Sequence, residues 1–310
     1  MNKYNSLITA IYILSAVLIL RIFVFSANPD QHDKTFEDGF RDDYKIYAIT
    51  HPDNLMFAGE DVPLENFDIM ERFDRELLVN TYWQSQTLLF FKRANKWFPV
   101  IEPILKNNEI PNDFKYLAII ESGLINVVSP AGARGFWQFL APTGREFGLE
   151  VSSKVDERYH VEKSTEAACK YLYDAYEEFG SWTLAAAAFN MGKSALKRQL
   201  ENQKVDSYYD LRLNEETARF VFRLLAVKHI FSNPQEMGFH FREQDLYQPL
   251  EYDVIEVDSA INDLPQFALD IGINYNLLRE YNPWLRRYSL PNNNNKTYEI
   301  KVPKNLNTEL

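Results

Sequence analysis

Apolar positions recur with a helical period through most of the middle of this chain. Thr87, Phe90, Phe91 and Ala94 fall on one stripe, and Trp97, Val100, Ile101, Ile104 and Leu105 on another. That i, i+3, i+4 spacing belongs to helices that bury one face. Pro111 and Asn112-Asp113 open a further helix, because proline suits a helix start and Asn or Asp caps one. Its stripe is Phe114, Leu117, Ala118 and Glu121, so an acid stands where the next apolar residue would, and Gly123 ends the run. Further on, Ser164 is placed to cap a segment whose Ala168, Tyr171, Leu172, Ala175 and Phe179 share a face up to Gly180. Ser181 is placed to cap an alanine-rich helix over residues 182–189, and residues 215–231 form another with Ala218, Val221, Phe222 and Leu225 inward.

After Pro249 the period changes. Residues 252–257 alternate as a strand does, 264–271 and 275–281 read as two short helices, and 298–302 read as a second strand after the turn-forming run 292–295. The expected fold is therefore mainly α: a helical domain over 86–245, then a small β-α-α-β unit over 250–303. Residues 28–85, mixed in character and broken by proline, read as a linker and peripheral arm.

Residues 7–25 are apolar apart from Thr9, Ser15 and Arg21, with Lys3 before them and Asp30, Asp33, Glu37 and Asp38 after. Residues 1–27 thus read as a signal peptide or signal anchor, which puts the bulk of the protein on the non-cytoplasmic side. A spanning helix needs about 20 apolar residues, and Arg21 leaves only residues 7–20 uninterrupted. That shorter run fits an export signal cleaved near Ser26 or Ala27, whereas a retained membrane anchor requires Arg21 to snorkel. The segment holds no cysteine to carry a lipid.

Composition narrows the function. With 46% hydrophobic residues the chain can build a large core, and a net charge of -11 disfavours nucleic acid as a partner. Aromatics at 15% are enough to pack that core and still offer faces on which sugars stack. Cys169, the single cysteine, can form no intrachain disulfide and reads as a packed thiol. The five histidines show no metal-ligand spacing and no phosphate-binding glycine loop is present, so neither metal nor cofactor is expected.

The chemistry gathers at Glu121. A carboxyl on the buried stripe at a helix C-terminus is opposed, as an anion, by desolvation and by the negative end of the helix dipole. Both keep it protonated, as a general acid near neutrality must be. On pattern alone, an acid that merely caps or pairs at a helix end remains open. The next loop, Ser129-Pro130-Ala131-Gly132-Ala133-Arg134-Gly135-Phe136-Trp137-Gln138-Phe139, adds weight to catalysis. Its glycines let backbone approach a ligand, Gln138 both donates and accepts, and Phe136, Trp137 and Phe139 can stack.

Glu121-Ser122, then Gly135-Phe136-Trp137-Gln138-Phe139, then Ala188-Phe189-Asn190-Met191-Gly192, with Glu216-Thr217-Ala218-Arg219-Phe220-Val221 beyond, resemble in order and spacing the signatures of the soluble lytic transglycosylase family. The likeness runs over about residues 92–240. It implies a lysozyme-like helical catalytic domain that cleaves the MurNAc–GlcNAc linkage of peptidoglycan without water. Glu121 would be the single acid and base, with Ser122, Phe136, Gln138, Tyr159, Phe189 and Asn190 about the substrate. Phe189 and Phe220 stand where the family usually has Tyr. The segment after 250 resembles a degenerate LysM module, a glycan binder, in which Asp258-Ser259 replaces the usual glycine-aspartate-threonine; a docking unit is the alternative for it. The partners implied are peptidoglycan strands, at the periplasmic side of the cytoplasmic membrane in the cell envelope. Two other functions stay open: a goose-type-lysozyme-like hydrolase using Asp156 or Glu146 as second carboxylate, and a catalytically weak envelope scaffold.

Overall fold

The computed structural model describes residues 46–292 and 295–304. The expected N-terminal signal or anchor lies outside the described residues, among which no helix is long and apolar enough to cross a membrane. From Ile49 the chain forms one compact unit. It opens with a two-strand hairpin, β1 (Met56–Phe57) and β2 (Glu60–Asp61). The helices α1 (Phe67–Tyr82), α2 (Gln84–Asn107), α3 (Lys115–Ser122), α4 (Ala141–Glu146), α5 (Val161–Phe179), α6 (Trp182–Met191), α7 (Lys193–Gln203) and α8 (Glu215–Ser232) follow.

Helix α8 is the hub of this domain and touches α1, α3 and α6. Phe220, Val221, Leu224 and Leu225 supply the contact, all buried, and burial of this kind stabilises by roughly 1.5–3 kcal/mol per large side chain. Buried Glu76 in the α1–α8 seam is answered by Arg219 at 2.6 Å, as a buried charge requires. The two stripes expected over 87–105 belong to one helix, α2, which runs through Pro99 and Pro103.

Two expectations are corrected. Residues 55–82 are no peripheral arm, because Phe57, Phe73 and Leu77 are fully buried in the main core. The Glu60 carboxylate caps α6, accepting from the amides of Trp182 (2.6 Å) and Thr183 (2.9 Å). Ser164 is no cap either. Helix α5 has already begun at Val161, and the Ser164 hydroxyl donates back to the Val161 carbonyl at 3.2 Å. Helix α7, whose only buried residue is Leu196, carries too narrow an apolar face to have been foreseen.

The C-terminal unit pairs β3 (Tyr252–Val257) with β4 (Tyr298–Pro303), antiparallel, around α9 (Leu264–Asp270) and α10 (Tyr275–Tyr281). Asn282, fully buried, clamps β4: its amide nitrogen donates to the Lys301 carbonyl at 2.7 Å and its oxygen accepts the Lys301 amide at 2.9 Å. A two-strand sheet is marginal by itself. Its core here is completed by Val155 and Tyr159, which the helical domain contributes.

Candidate active site

Glu121 occupies the last turn of α3. That helix is seated by Phe114, Leu117 and Ala118, all fully buried, with Phe114 edge-on to Phe57 (5.2 Å) and Trp182 (5.4 Å). Gly123 ends it at φ 63°, returning its amide to the Ile119 carbonyl at 2.7 Å. A Cβ at Gly123 would lie 3.0 Å from the Phe90 ring, so the cap needs glycine both for its left-handed backbone and for its closeness to α2. Arg93 donates to the Gly123 carbonyl at 3.0 Å.

The Glu121 side chain is packed round by protein yet keeps part of its surface open, as an acid that must reach a substrate needs. Burial pushes its carboxyl up to about 8, against the opposing charge of Arg223 and with help from Glu216. It therefore holds its proton at neutral pH. Arg223 and Glu216 are site residues that the sequence reading missed. Both lie on α8, where Glu216, Phe220 and Arg223 share a face at i, i+4, i+7. The Arg223 guanidinium lies 5.9 Å from the Phe220 ring, and its Nε is buried with no hydrogen-bond partner among the described residues. The signal was available, since Glu216-Thr217 already belonged to the matching motifs.

Ser122 ties the helix to the loop that follows. Its hydroxyl sits 3.1 Å from the Ala118 carbonyl and 2.9 Å from that of Phe136. Gln138 has φ 48°, in the left-handed region. Its side-chain amide donates to the carbonyls of Gly135 (2.7 Å) and Val127 (3.2 Å). Trp137, fully buried, anchors the loop to α5 through a 2.9 Å bond from its indole to the Thr165 hydroxyl. Gly135, at φ 78°, presses so closely on the next segment that a Cβ would stand 1.8 Å from the Arg158 carbonyl oxygen.

Ser122, next to Glu121 on α3, reaches the loop through the Phe136 carbonyl, and Gln138 folds back within that loop. Phe189 is half-buried at the end of α6, edge-on to Trp137 (6.2 Å), Phe139 (5.6 Å) and Tyr171 (5.2 Å), and half-buried Asn190 follows it. Two residues expected about the substrate are placed elsewhere. Phe136 is buried edge-on to Trp97 at 5.1 Å. Tyr159 is buried in the C-terminal core with the Arg286 guanidinium 4.0 Å above its ring. Neither ring presents a face to a sugar. Cys169 is buried and burial pushes its thiol up to about 12, unsuited to nucleophilic work. Among the described residues no three His, Cys, Asp or Glu side chains gather as a metal site would need.

Comparison with known proteins falls on the same stretches. Residues 98–211 match the transglycosylase SLT domain, and residues 253–306 match the soluble lytic transglycosylase C-terminal LysM-like domain. The membrane-bound lytic murein transglycosylase D of two Escherichia coli strains is 27% identical over 243 residues, 76% of this chain. The chain spans about half (52%) of the length of those relatives. An X-ray structure of an inactive mutant of the lytic transglycosylase Slt from Pseudomonas aeruginosa is similar over 49% of this chain and 26% of that one, at 18% identity and a TM-score of 0.38. Glu121, its loop and Phe189-Asn190 thus all fall within the stretch that matches the transglycosylase SLT domain, and the β-α-α-β unit falls within the stretch that matches the LysM-like domain.

Proposed function

We propose that this protein is a peptidoglycan lytic transglycosylase that cleaves the MurNAc–GlcNAc β-1,4 linkage without water, with Glu121 as its single acid and base. The observation that carries this reading is a protonated, half-open carboxyl at the end of α3, inside a matched transglycosylase domain. Glu121 gives its proton to the glycosidic oxygen as the bond to the anomeric carbon breaks. The acetamido oxygen of the same sugar assists at that carbon, a departure from the two-carboxylate scheme. The Glu121 carboxylate, steadied by Arg223, then takes the proton of the sugar's 6-hydroxyl, whose oxygen closes on the anomeric carbon. A 1,6-anhydro end results and Glu121 regains its proton. Ser122 and Gln138 hold the loop that borders this exchange.

The hydrolase reading loses its first two helpers. Asp156 is 1% exposed and bound by Arg158 through two contacts, at 2.8 and 2.7 Å. Glu146 is exposed at the end of α4. Glu216 is the acid whose charge reaches Glu121, so Glu216→Gln is the variant to examine for hydrolysis. Mass spectrometry of fragments released from purified sacculi decides: 1,6-anhydro ends support the transglycosylase, and reducing ends the hydrolase. The relatives' description as membrane-bound supports placement in the cell envelope, with the periplasmic side as the working compartment and residues 1–27 as the export or anchoring segment.

A further inference from the structure

The C-terminal unit meets the helical domain at residues 150–162, and that segment is also what the active-site loop leans on. Residues 154–156 and 284–286 pair as short antiparallel strands. Val155 bridges Leu285, the Asp156 amide donates to the Trp284 carbonyl at 2.9 Å, and the Arg286 amide donates to the Lys154 carbonyl at 2.8 Å. Side chains reinforce the pairing. Arg286 covers Tyr159 at 4.0 Å, Lys296 lies 2.8 Å from Glu150 and 3.4 Å from Glu157, and Lys301 pairs with Glu162.

On its other side the same segment grips the loop. Asp156 fixes the Arg158 guanidinium through Nε (2.8 Å) and a terminal nitrogen (2.7 Å). The remaining nitrogen of Arg158 donates to the carbonyls of Phe139 (3.1 Å) and Gly132 (3.3 Å), two points of the loop. Between them, Gly135 rests on the Arg158 backbone and the Phe136 carbonyl receives Ser122. A planar fork is needed for this, since one face must meet a carboxylate while another nitrogen reaches two carbonyls; a lysine ammonium cannot do both. The regular structure of the loop is limited to isolated bridges at Arg134 to Val128 and Phe139, and its other ties are the buried Trp137 on Thr165 and a longer pair from Arg134 to Asp156 at 3.4 Å.

Resting on the reading of the previous section, we propose that the C-terminal unit is a brace for the loop beside Glu121, with Arg158 as the positioning residue through which it acts. Undocking would bare Val155 and Tyr159 and take from the Asp156 amide its acceptor. Arg158 would then lose the partner that aims it, and the loop would drift from Glu121.

The test uses the full chain. Lys296→Glu combined with Lys301→Glu sets like charges against Glu150, Glu157 and Glu162, and Leu285→Ala empties the bridge contact as a second, uncharged way to loosen it. Amide hydrogen exchange over 132–139 is expected to rise about tenfold or more in both. On a short soluble MurNAc–GlcNAc oligosaccharide, kcat is expected to fall about tenfold with KM within about twofold of wild type, as mispositioning predicts. Adding Glu150→Lys and Glu162→Lys to the charge-reversed variant restores both readings. Arg158→Lys reproduces the loss while exchange in β3 and β4 stays at the wild-type rate. Wild-type exchange over 132–139 in all three variants overturns the brace. So does a defect confined to KM on intact sacculi, which a glycan-binding module would give. If the wild type releases no anhydro ends, the functional reading fails, and the exchange measurement still decides the brace.

Discussion

Helix α3 and the loop after it both border Glu121, yet they are held by different forces. Phe114, Leu117 and Ala118 seat α3 by burial alone, against neighbours on α8 and in the hairpin. Burial is non-directional and shared among many atoms, so such a seat tolerates change in shape while it loses stability. The loop also buries Phe136, Trp137 and Phe139, but it depends in addition on a few directed bonds at Ser122, Gln138 and Arg158, and on backbone at positive φ at Gly135 and Gln138. The acid is placed by packing, and the loop by packing together with polar geometry. Stability and turnover should therefore respond to different residues.

The largest effect belongs to the proton itself. Glu121→Gln conserves volume and should keep the fold while lowering turnover by at least about a thousandfold, read as anhydro ends released per hour. It also isolates a pH dependence. The native carboxyl at about 8 holds its proton where the unfolded one has lost it. Stability from this group is thus full below the ordinary carboxylate range and is lost as pH rises toward 8. Melting temperatures of wild type and variant should agree near pH 4, with the variant higher near pH 8.5. Turnover of the wild type, for its part, should fall as pH passes about 8.

Next comes the loop. Gly135→Ala must move backbone, because its Cβ would stand 1.8 Å from the Arg158 carbonyl oxygen. A loss of about a hundredfold in kcat follows from a shift of order 1 Å. Ser122→Ala is milder. It leaves the Phe136 carbonyl short of a donor at 2.9 Å, costs about 1–2 kcal/mol in chemical denaturation, and should lower kcat about tenfold with KM held. The smallest effect on turnover is expected from Leu117→Ala, fully buried under α3. It should cost about 2–5 kcal/mol yet leave kcat near wild type well below its melting temperature. If Leu117→Ala cut kcat as deeply as Ser122→Ala, the contrast between the two regions would not stand.

The interface of the C-terminal unit adds an acid-side counterpart. Burial works against the Glu162 and Glu157 carboxylates, but His160 and Lys301 on the first, and Lys163, the Glu150 amide and Lys296 on the second, hold both below the usual range. Their contribution is full above that range and is lost as pH falls below it, through the lowered values of the paired groups. Exchange over 154–159 should accordingly quicken in strong acid.

Periodicity alone located α2, α3, α6 and α8, both strands of the C-terminal unit and its two short helices, because each carries a clear apolar stripe or alternation. It also put Glu121 on a buried face, since i, i+3, i+4, i+7 from Phe114 leaves it no other side. What it lacked were relations between distant segments. Phe73 and Leu77 look unremarkable until α8 lies across them, and Glu60 becomes a helix cap only when the hairpin meets α6. Arg223 acquires meaning only beside Glu121. Phe136 and Tyr159 have the chemistry to meet a sugar, but whether an aromatic side chain is open or covered depends on what packs over it, here Trp97 and Arg286. Local pattern determines which face of an element is apolar. Which partner covers that face, and so which polar group is left protonated, paired or open to substrate, is decided only when the elements assemble.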